Sequence, residues 1–275
     1  MSTAAELVTL APGVSVWIQT PLGAGQPNAG VVVDADGITI IDSLATPRQA
    51  RALGRALEGF DTPIRRVVLT SSHIEYAGGT EQFWAAAFYG RTQTSEHLDQ
   101  PVDPAVLRRL FPDHAAEYTD EFATRPITHT VDRTAWLTPA THLVPLDGEM
   151  AENLVVQVPG AGVVFAGALA SFGVTPLVFD GDPAAWAEAL DEVLEMGDTI
   201  VPGHGPPGGE PEVRALQTYL RECADAEGDP GAIPPGPWDD WTDRDNDEIN
   251  CERAAMVARH EQGPPQSMLR RLGLI

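Results

Sequence analysis

The segment Thr70-Ser71-Ser72-His73-Ile74-Glu75-Tyr76-Ala77-Gly78-Gly79 gathers an imidazole, a carboxylate and a phenol within four residues. These side chains are suited to moving protons and to donating a hydrogen bond to a developing oxyanion. A second imidazole, His204, stands in Pro202-Gly203-His204-Gly205-Pro206. Ser71, Ser72 and His73 superficially suggest a nucleophile with its base. Along a strand end, however, neighbours alternate sides, and no strand-to-helix nucleophile elbow is present. His97, His114, His129, His142 and His260 show no ligand spacing and are read as packing or surface residues. Cys223 and Cys251 are the only cysteines, they form no C-x-x-C pair, and packing is their expected role. All 17 basic residues are arginine, so Schiff-base chemistry and a P-loop lysine are excluded.

The elements that must position these residues follow from periodicity. Val14 to Gln19, Gly30 to Val33 and Ile38 to Ile41 read as strands, the last two joined by the hairpin signal Asp34-Ala35-Asp36-Gly37. Thr46 and Pro47 mark a helix start, with Ala50, Leu53, Leu57 and Phe60 on its apolar face. Arg65 to Leu69 is a short strand that delivers the His73 segment, and Thr80 to Ala87 reads as helical. Residues 95–125 form a helical insert. Leu154 to Val158 and Val163 to Phe165 are strands around Pro159-Gly160. Asp182-Pro183 caps a helix, Thr199 to Val201 is a strand ending at His204, and a helix runs from Glu210 to about Ala224. The order of β-rich, αβ, helical and again β-rich and αβ stretches predicts two similar halves in an α/β protein, with helices outside two sheets.

Composition narrows the function. The chain has 275 residues, 43% hydrophobic, enough for a substantial core. Its net charge of -23 repels phosphate backbones and anionic lipid, so neither nucleic acid nor membrane is an expected partner. No apolar run approaches the roughly 20 residues of a membrane span. The expectation is a soluble cytoplasmic protein acting on a small molecule. Asp239, Asp240, Asp243, Asp245, Asp247 and Glu248 lack the glycine and terminal glutamate of a calcium loop and read as a solvated acidic face. Trp238 and Trp241 are expected to anchor the tail, as one wall of the pocket or as a homodimer contact.

Taken in order, Asn28-Ala29-Gly30, Ile41-Asp42-Ser43, Thr70 to Gly79, Val164-Phe165-Ala166-Gly167, Phe179-Asp180-Gly181-Asp182-Pro183 and Val201-Pro202-Gly203-His204-Gly205 resemble the metallo-β-lactamase superfamily. The resemblance covers most of residues 7–225. It implies an αββα sandwich, here with a helical insert and a C-terminal extension: residues 1–225 as the family-like domain and 226–275 as an acidic, helical extension packed on it. The family's T-H-x-H-x-D-H-x-G-G signature is altered, with Ser71, Glu75 and Tyr76 replacing a histidine, an aspartate and a histidine. Glu149, in Gly148-Glu149-Met150, falls where the family has a further histidine, and Ala168 where it has the bridging aspartate.

By resemblance, an ordinary dinuclear zinc centre is not expected. What remains is at most one zinc or iron ion on His73, His204 and Glu75, or no metal at all. The catalytic candidates are His73, Glu75, Tyr76 and Glu149, with Asp42 organising the signature loop. The function expected first is hydrolysis of an ester, thioester, lactone or related acyl compound. The alternatives are a metal-independent lyase, cyclase or isomerase using the same Glu, His and Tyr groups, and a non-catalytic binding protein. The lysine-free, Arg- and Ala-rich composition is that expected of a GC-rich bacterial chain.

Overall fold

The structure is a computed structural model that describes residues 4–275. In chain order its strands and helices are β1 (Ala4–Ala11), β2 (Val14–Thr20), β3 (Ala29–Asp34), β4 (Gly37–Ile41), α1 (Pro47–Leu57), β5 (Ile64–Val68), α2 (Ile74–Ala77), β6 (Ala87–Gly90), α3 (Thr92–Leu98), α4 (Pro104–Leu110), β7 (His129–Thr130), β8 (Ala135–Thr138), β9 (Thr141–Pro145), β10 (Leu154–Val158), β11 (Val163–Ser171), α5 (Pro183–Met196), β12 (Thr199–His204), α6 (Glu210–Asp225), α7 (Asn246–Ala258) and α8 (Gln266–Arg271). The first seven strands form one sheet in sequential order. The other sheet runs β12-β11-β10-β9-β8.

Strand periodicity explains the layering. Successive side chains point to opposite faces, so Val32, Ile41, Val68, Val156 and Phe165 meet between the two sheets. Their neighbours Val31, Ile40 and Val67 face the opposite way and pack with Leu53 and Leu57 of α1. Val155 and Val164 likewise pack with Trp186 and Leu190 of α5 and Leu216 and Leu220 of α6. Both faces of each sheet are thereby covered, which is why the central strands read as continuous apolar runs. The result is the expected αββα sandwich.

The local signals hold at several points. Thr46 Oγ1 accepts from Gln49 N and Pro47 opens α1, while Asp182 caps α5 through the amides of Ala184 and Ala185. The stretch expected to be helical from Thr80 to Ala87 is instead one 3₁₀ turn, Thr80–Phe83, followed by β6. Pairing of β6 with β5 supplies backbone partners that helix continuation would forfeit. β1 and α8 also stand outside the elements expected from pattern.

The extension packs on the body through Trp238, whose buried indole adjoins Tyr219 at a ring separation of 6.0 Å. Trp241 also packs on Tyr219, at 5.4 Å, so this pair anchors the tail to α6. The acidic run is less uniformly solvated than expected. Asp243 accepts from Ala24 N at 2.8 Å, and Asp247 accepts from the Tyr219 hydroxyl at 2.7 Å. Cys223 and Cys251 are both buried in the core as free thiols.

Candidate active site

The site forms where the two sheets are stitched together at their loop ends. Asp42, just past β4, accepts from both Thr70 N and Thr70 Oγ1 at 2.8 Å. Thr70 Oγ1 in turn accepts from Ala168 N on β11 at 3.3 Å, and Thr70 O accepts from Leu154 N at 3.1 Å. This approach needs glycine at 167, where φ is +53° and a Cβ would lie 2.2 Å from Thr70 Oγ1. Burial pushes the Asp42 carboxyl up to about 7, against the lowering influence of its two Thr70 hydrogen bonds.

Beyond Thr70 the chain turns into α2 and places His73, Glu75 and Tyr76 on a cavity of about 70 Å³ that is also lined by Glu149, Ala168 and His204. All the sequence-selected site residues therefore converge. Ser71, which replaces an expected ligand, faces elsewhere: its hydroxyl lies 3.1 Å from Glu152 Oε1 and accepts from His73 N at 3.3 Å. The Ser-Ser-His nucleophile arrangement is not formed.

His73 Nδ1 lies 3.3 Å from Glu149 Oε1. Asn153 Nδ2 donates to the other Glu149 oxygen at 3.0 Å, and Asn153 Oδ1 takes the Met150 amide, so the β9–β10 loop grips the carboxylate. Glu149 is thus a buried group, not a surface acid. Burial raises its carboxyl to about 6, although His73 and Asn153 pull the other way. Burial by itself would lower the His73 imidazolium, but the carboxylates of Glu149, Glu75, Glu152 and Asp180 outweigh it and hold the ring above its ordinary value. Phe179 stacks on the ring at 5.3 Å.

His204, at the end of β12, shifts in the opposite direction. Desolvation lowers it, and Glu75 and Asp243 offset that only in part. The cavity thereby holds one imidazole biased toward the protonated form and one toward the neutral form. Tyr76 lies 5.8 Å from the His204 ring, and its hydroxyl fits against Gly203, where a Cβ would lie 2.4 Å away. Burial, with Glu75, Glu149 and Asp42 nearby, pushes the phenol well above its ordinary value, so it remains a hydrogen-bond donor. Glu75 acts electrostatically on Asp42, His73, Tyr76, Glu149 and His204 alike, which makes it the charge common to the whole site.

Several site residues carried no local signal in the sequence. Glu152 is buried and binds Ser72 N at 2.6 Å and His97 Nδ1 at 2.7 Å, tying the signature loop to α3. Its hydrogen bonds from Ser72, with His73 and His97, hold its carboxyl below the usual value despite burial. His97 is therefore a loop-bracing residue as well as a half-exposed one. It also borders a separate groove of about 610 Å³ with Glu152, Asp180 and Arg253. The cavity's roof comes from Leu110 and Phe111 in and just after α4 and from Asn246 and Arg271 of the extension. These residues are remote in sequence and meet only through folding.

Among the described residues, no three His, Cys, Asp or Glu side chains are arranged to hold a metal ion. His73, Glu75 and His204, expected to hold one zinc or iron ion, all border the cavity but are not grouped as a ligand shell. The zinc typical of the family does not fit this donor set as it stands.

The αββα layering and the strand-end site together define a family. The family model of the metallo-β-lactamase superfamily matches residues 22–204, and the chain belongs to that superfamily. Its members are mostly hydrolases and typically bind zinc. Among solved structures, the chain is similar to the metallo-β-lactamase FIM-1 from Pseudomonas aeruginosa in its mono-zinc form: 18% identity, 84% of this chain and 97% of that chain covered, TM-score 0.63. VMB-1 is 18% identical over 80% of this chain and 98% of its own, with a TM-score of 0.64. A metallo-β-lactamase from Hirschia baltica is 16% identical over 78% and 97%, with a TM-score of 0.61. Among curated proteins, none matches the chain.

Proposed function

We propose that this chain is an acyl hydrolase of small molecules, acting on an ester, thioester or lactone, in which cleft side chains supply the proton transfers. The observation that carries the reading is the pair of imidazoles shifted in opposite directions on one cavity, the pattern expected of an acid and a base working together. His204, kept neutral by burial, takes a proton from water as the water oxygen bonds to the acyl carbon. Tyr76 donates to the oxyanion of the tetrahedral intermediate. His73, held protonated by Glu149 and Glu75, delivers its proton to the leaving oxygen or sulfur as that bond breaks. Water relays the proton from His204 back to His73.

Enclosure of the cavity beneath α4 and the extension also favours a second reading. A lyase, cyclase or isomerase would use the same base, acid and donor without admitting water to the reacting carbon.

The test is hydrolysis of p-nitrophenyl acetate, S-phenyl thioacetate and γ-butyrolactone by the purified protein, with elemental mass spectrometry of its metal content. Turnover that survives chelation and falls by about 10²-fold or more in His73→Gln and His204→Gln supports the proposal. Turnover abolished by chelation and restored by zinc overturns the metal-independent mechanism. If none of the three substrates is cleaved, acyl hydrolysis gives way to the second reading.

A further inference from the structure

Seven buried side-chain polar atoms among the described residues lack a hydrogen-bond partner, and three of them belong to residues bordering the candidate cavity: His73 Nε2, His204 Nδ1 and Thr175 Oγ1. Buried polar groups are nearly always paired, by protein or by ordered water, so three orphans on residues around one small cavity call for a partner from outside the protein chain. The two histidines belong to the acid–base machinery already described. Thr175 does not, and it has no place in the altered signature. It is 1% exposed and lies four residues beyond β11. Its backbone is clamped by the extension: Thr175 N donates to Thr242 O at 3.0 Å, and Thr175 O accepts from Asn246 Nδ2 at 2.9 Å. The backbone is thus satisfied and the hydroxyl alone is left over.

The surroundings limit what the hydroxyl meets. Glu75 and Glu149 border the same cavity and disfavour an anion there, and the imidazolium of His73 is already paired with Glu149 at 3.3 Å. Among the described residues the one guanidinium at the cavity, Arg271, is engaged by Asn246 Oδ1 and by Asp245, whose carboxylate lies 2.8 Å away. The volume of about 70 Å³ is roughly half that of a cavity that takes benzene, enough for the reacting head of a molecule.

We propose that Thr175 is a substrate-contacting residue, whose hydroxyl hydrogen-bonds an oxygen of an uncharged carbonyl head group seated between His73 and His204. This rests on the acyl-substrate reading above and extends it to the charge and size of the group bound.

The test uses ligand-observed NMR on the full chain with γ-butyrolactone, butyrate and butylammonium, three probes of similar size and different charge. The expected result is saturable binding of γ-butyrolactone, at least tenfold tighter than either ion. Thr175→Val weakens it about tenfold, the loss expected for one hydrogen bond. Thr175→Ser, which keeps the hydroxyl and drops the methyl, stays within about threefold. The thermal midpoint of Thr175→Val holds or rises, because the variant removes an unpaired buried hydroxyl, whereas a threonine with a structural hydrogen bond would lower it. Unchanged γ-butyrolactone binding in Thr175→Val, equal losses in the Ser and Val variants, preference for a charged probe, or no saturable binding by the parent chain would each overturn the proposal. The same spectra report ring opening. Thr175-dependent binding without conversion keeps this inference and counts against lactone hydrolysis, while conversion with binding indifferent to Thr175 does the reverse.

Discussion

Asp42→Asn isolates the electrostatic cost of holding the signature loop. Asp42 is 2% exposed, and among the described residues its carboxylate has no counter-charge and accepts only from Thr70 N and Oγ1. Its carboxyl rises from an ordinary 3.8 to about 7, roughly three pH units, and at about 1.4 kcal/mol per unit the ionised form costs about 4 kcal/mol of stability. Between pH 3.8 and 7 the folded chain holds this proton while the unfolded chain releases it. Stability from this group is therefore greatest below pH 3.8, declines as pH rises through the window, and is level above pH 7. An amide does not titrate, so the variant lacks that slope. The substitution weakens the Thr70 contacts by about the same amount at every pH, and asparagine tolerates the left-handed backbone at this position, where φ is +64°. Urea unfolding of both proteins at intervals from pH 4 to pH 8 measures the difference. Relative to the parent, Asp42→Asn should gain about 4 kcal/mol between the two ends of the range. A stability difference that does not change with pH would refute the reasoning, because it would mean that the carboxyl titrates normally in the fold.

Three further outcomes follow from the same geometry. The pH profile of kcat/KM for a cleaved ester should be bell-shaped, with the acid limb, where His204 protonates, displaced below the ordinary imidazole value and the alkaline limb, where His73 deprotonates, displaced above it; a single ionisation would contradict the assignment of opposite roles. Tyr76→Phe should lower kcat by about 10²- to 10³-fold with little change in KM, measured on the same ester, and an undiminished kcat would remove Tyr76 from the oxyanion role. Glu152→Gln should cost about 1–3 kcal/mol at pH 7 in urea unfolding, since Ser72 N and His97 lose a charged acceptor. The Glu152 carboxyl is depressed in the fold, so its contribution is present above its ordinary value of 4.5 and fades as pH falls through the lower folded value. Equal stability of parent and variant at pH 7 would show that the Glu152 contacts contribute nothing.

Much of the architecture was legible because it is local. Hairpin residues 34–37, the Thr46-Pro47 and Asp182-Pro183 helix starts, and the apolar runs of β3, β4, β10 and β11 announce themselves through turn chemistry, capping and period-two burial. The missed strand β6 shows the limit of such signals, since its four residues owe their state to the neighbours they pair with. Among site residues, His73, Glu75, Tyr76 and His204 stood out by type and by their places in two loops. Glu149 could be placed by resemblance, but nothing local in the sequence marks it as buried. Only the fold shows it buried against His73 and Asn153.

The amino-acid sequence by itself determined which groups were available: no lysine, two cysteines, a strongly negative chain, and a segment that sets Ser71, Glu75 and Tyr76 around His73. Tertiary structure decided what those groups become. The opposite shifts of His73 and His204 arise from burial and from carboxylates contributed by separate loops, and both depend on distance through space. Glu152, Thr175 and the roof from α4 and the extension have the same origin. A side chain's type is written in the chain, but its dielectric surroundings and its partners exist only once distant segments have packed together.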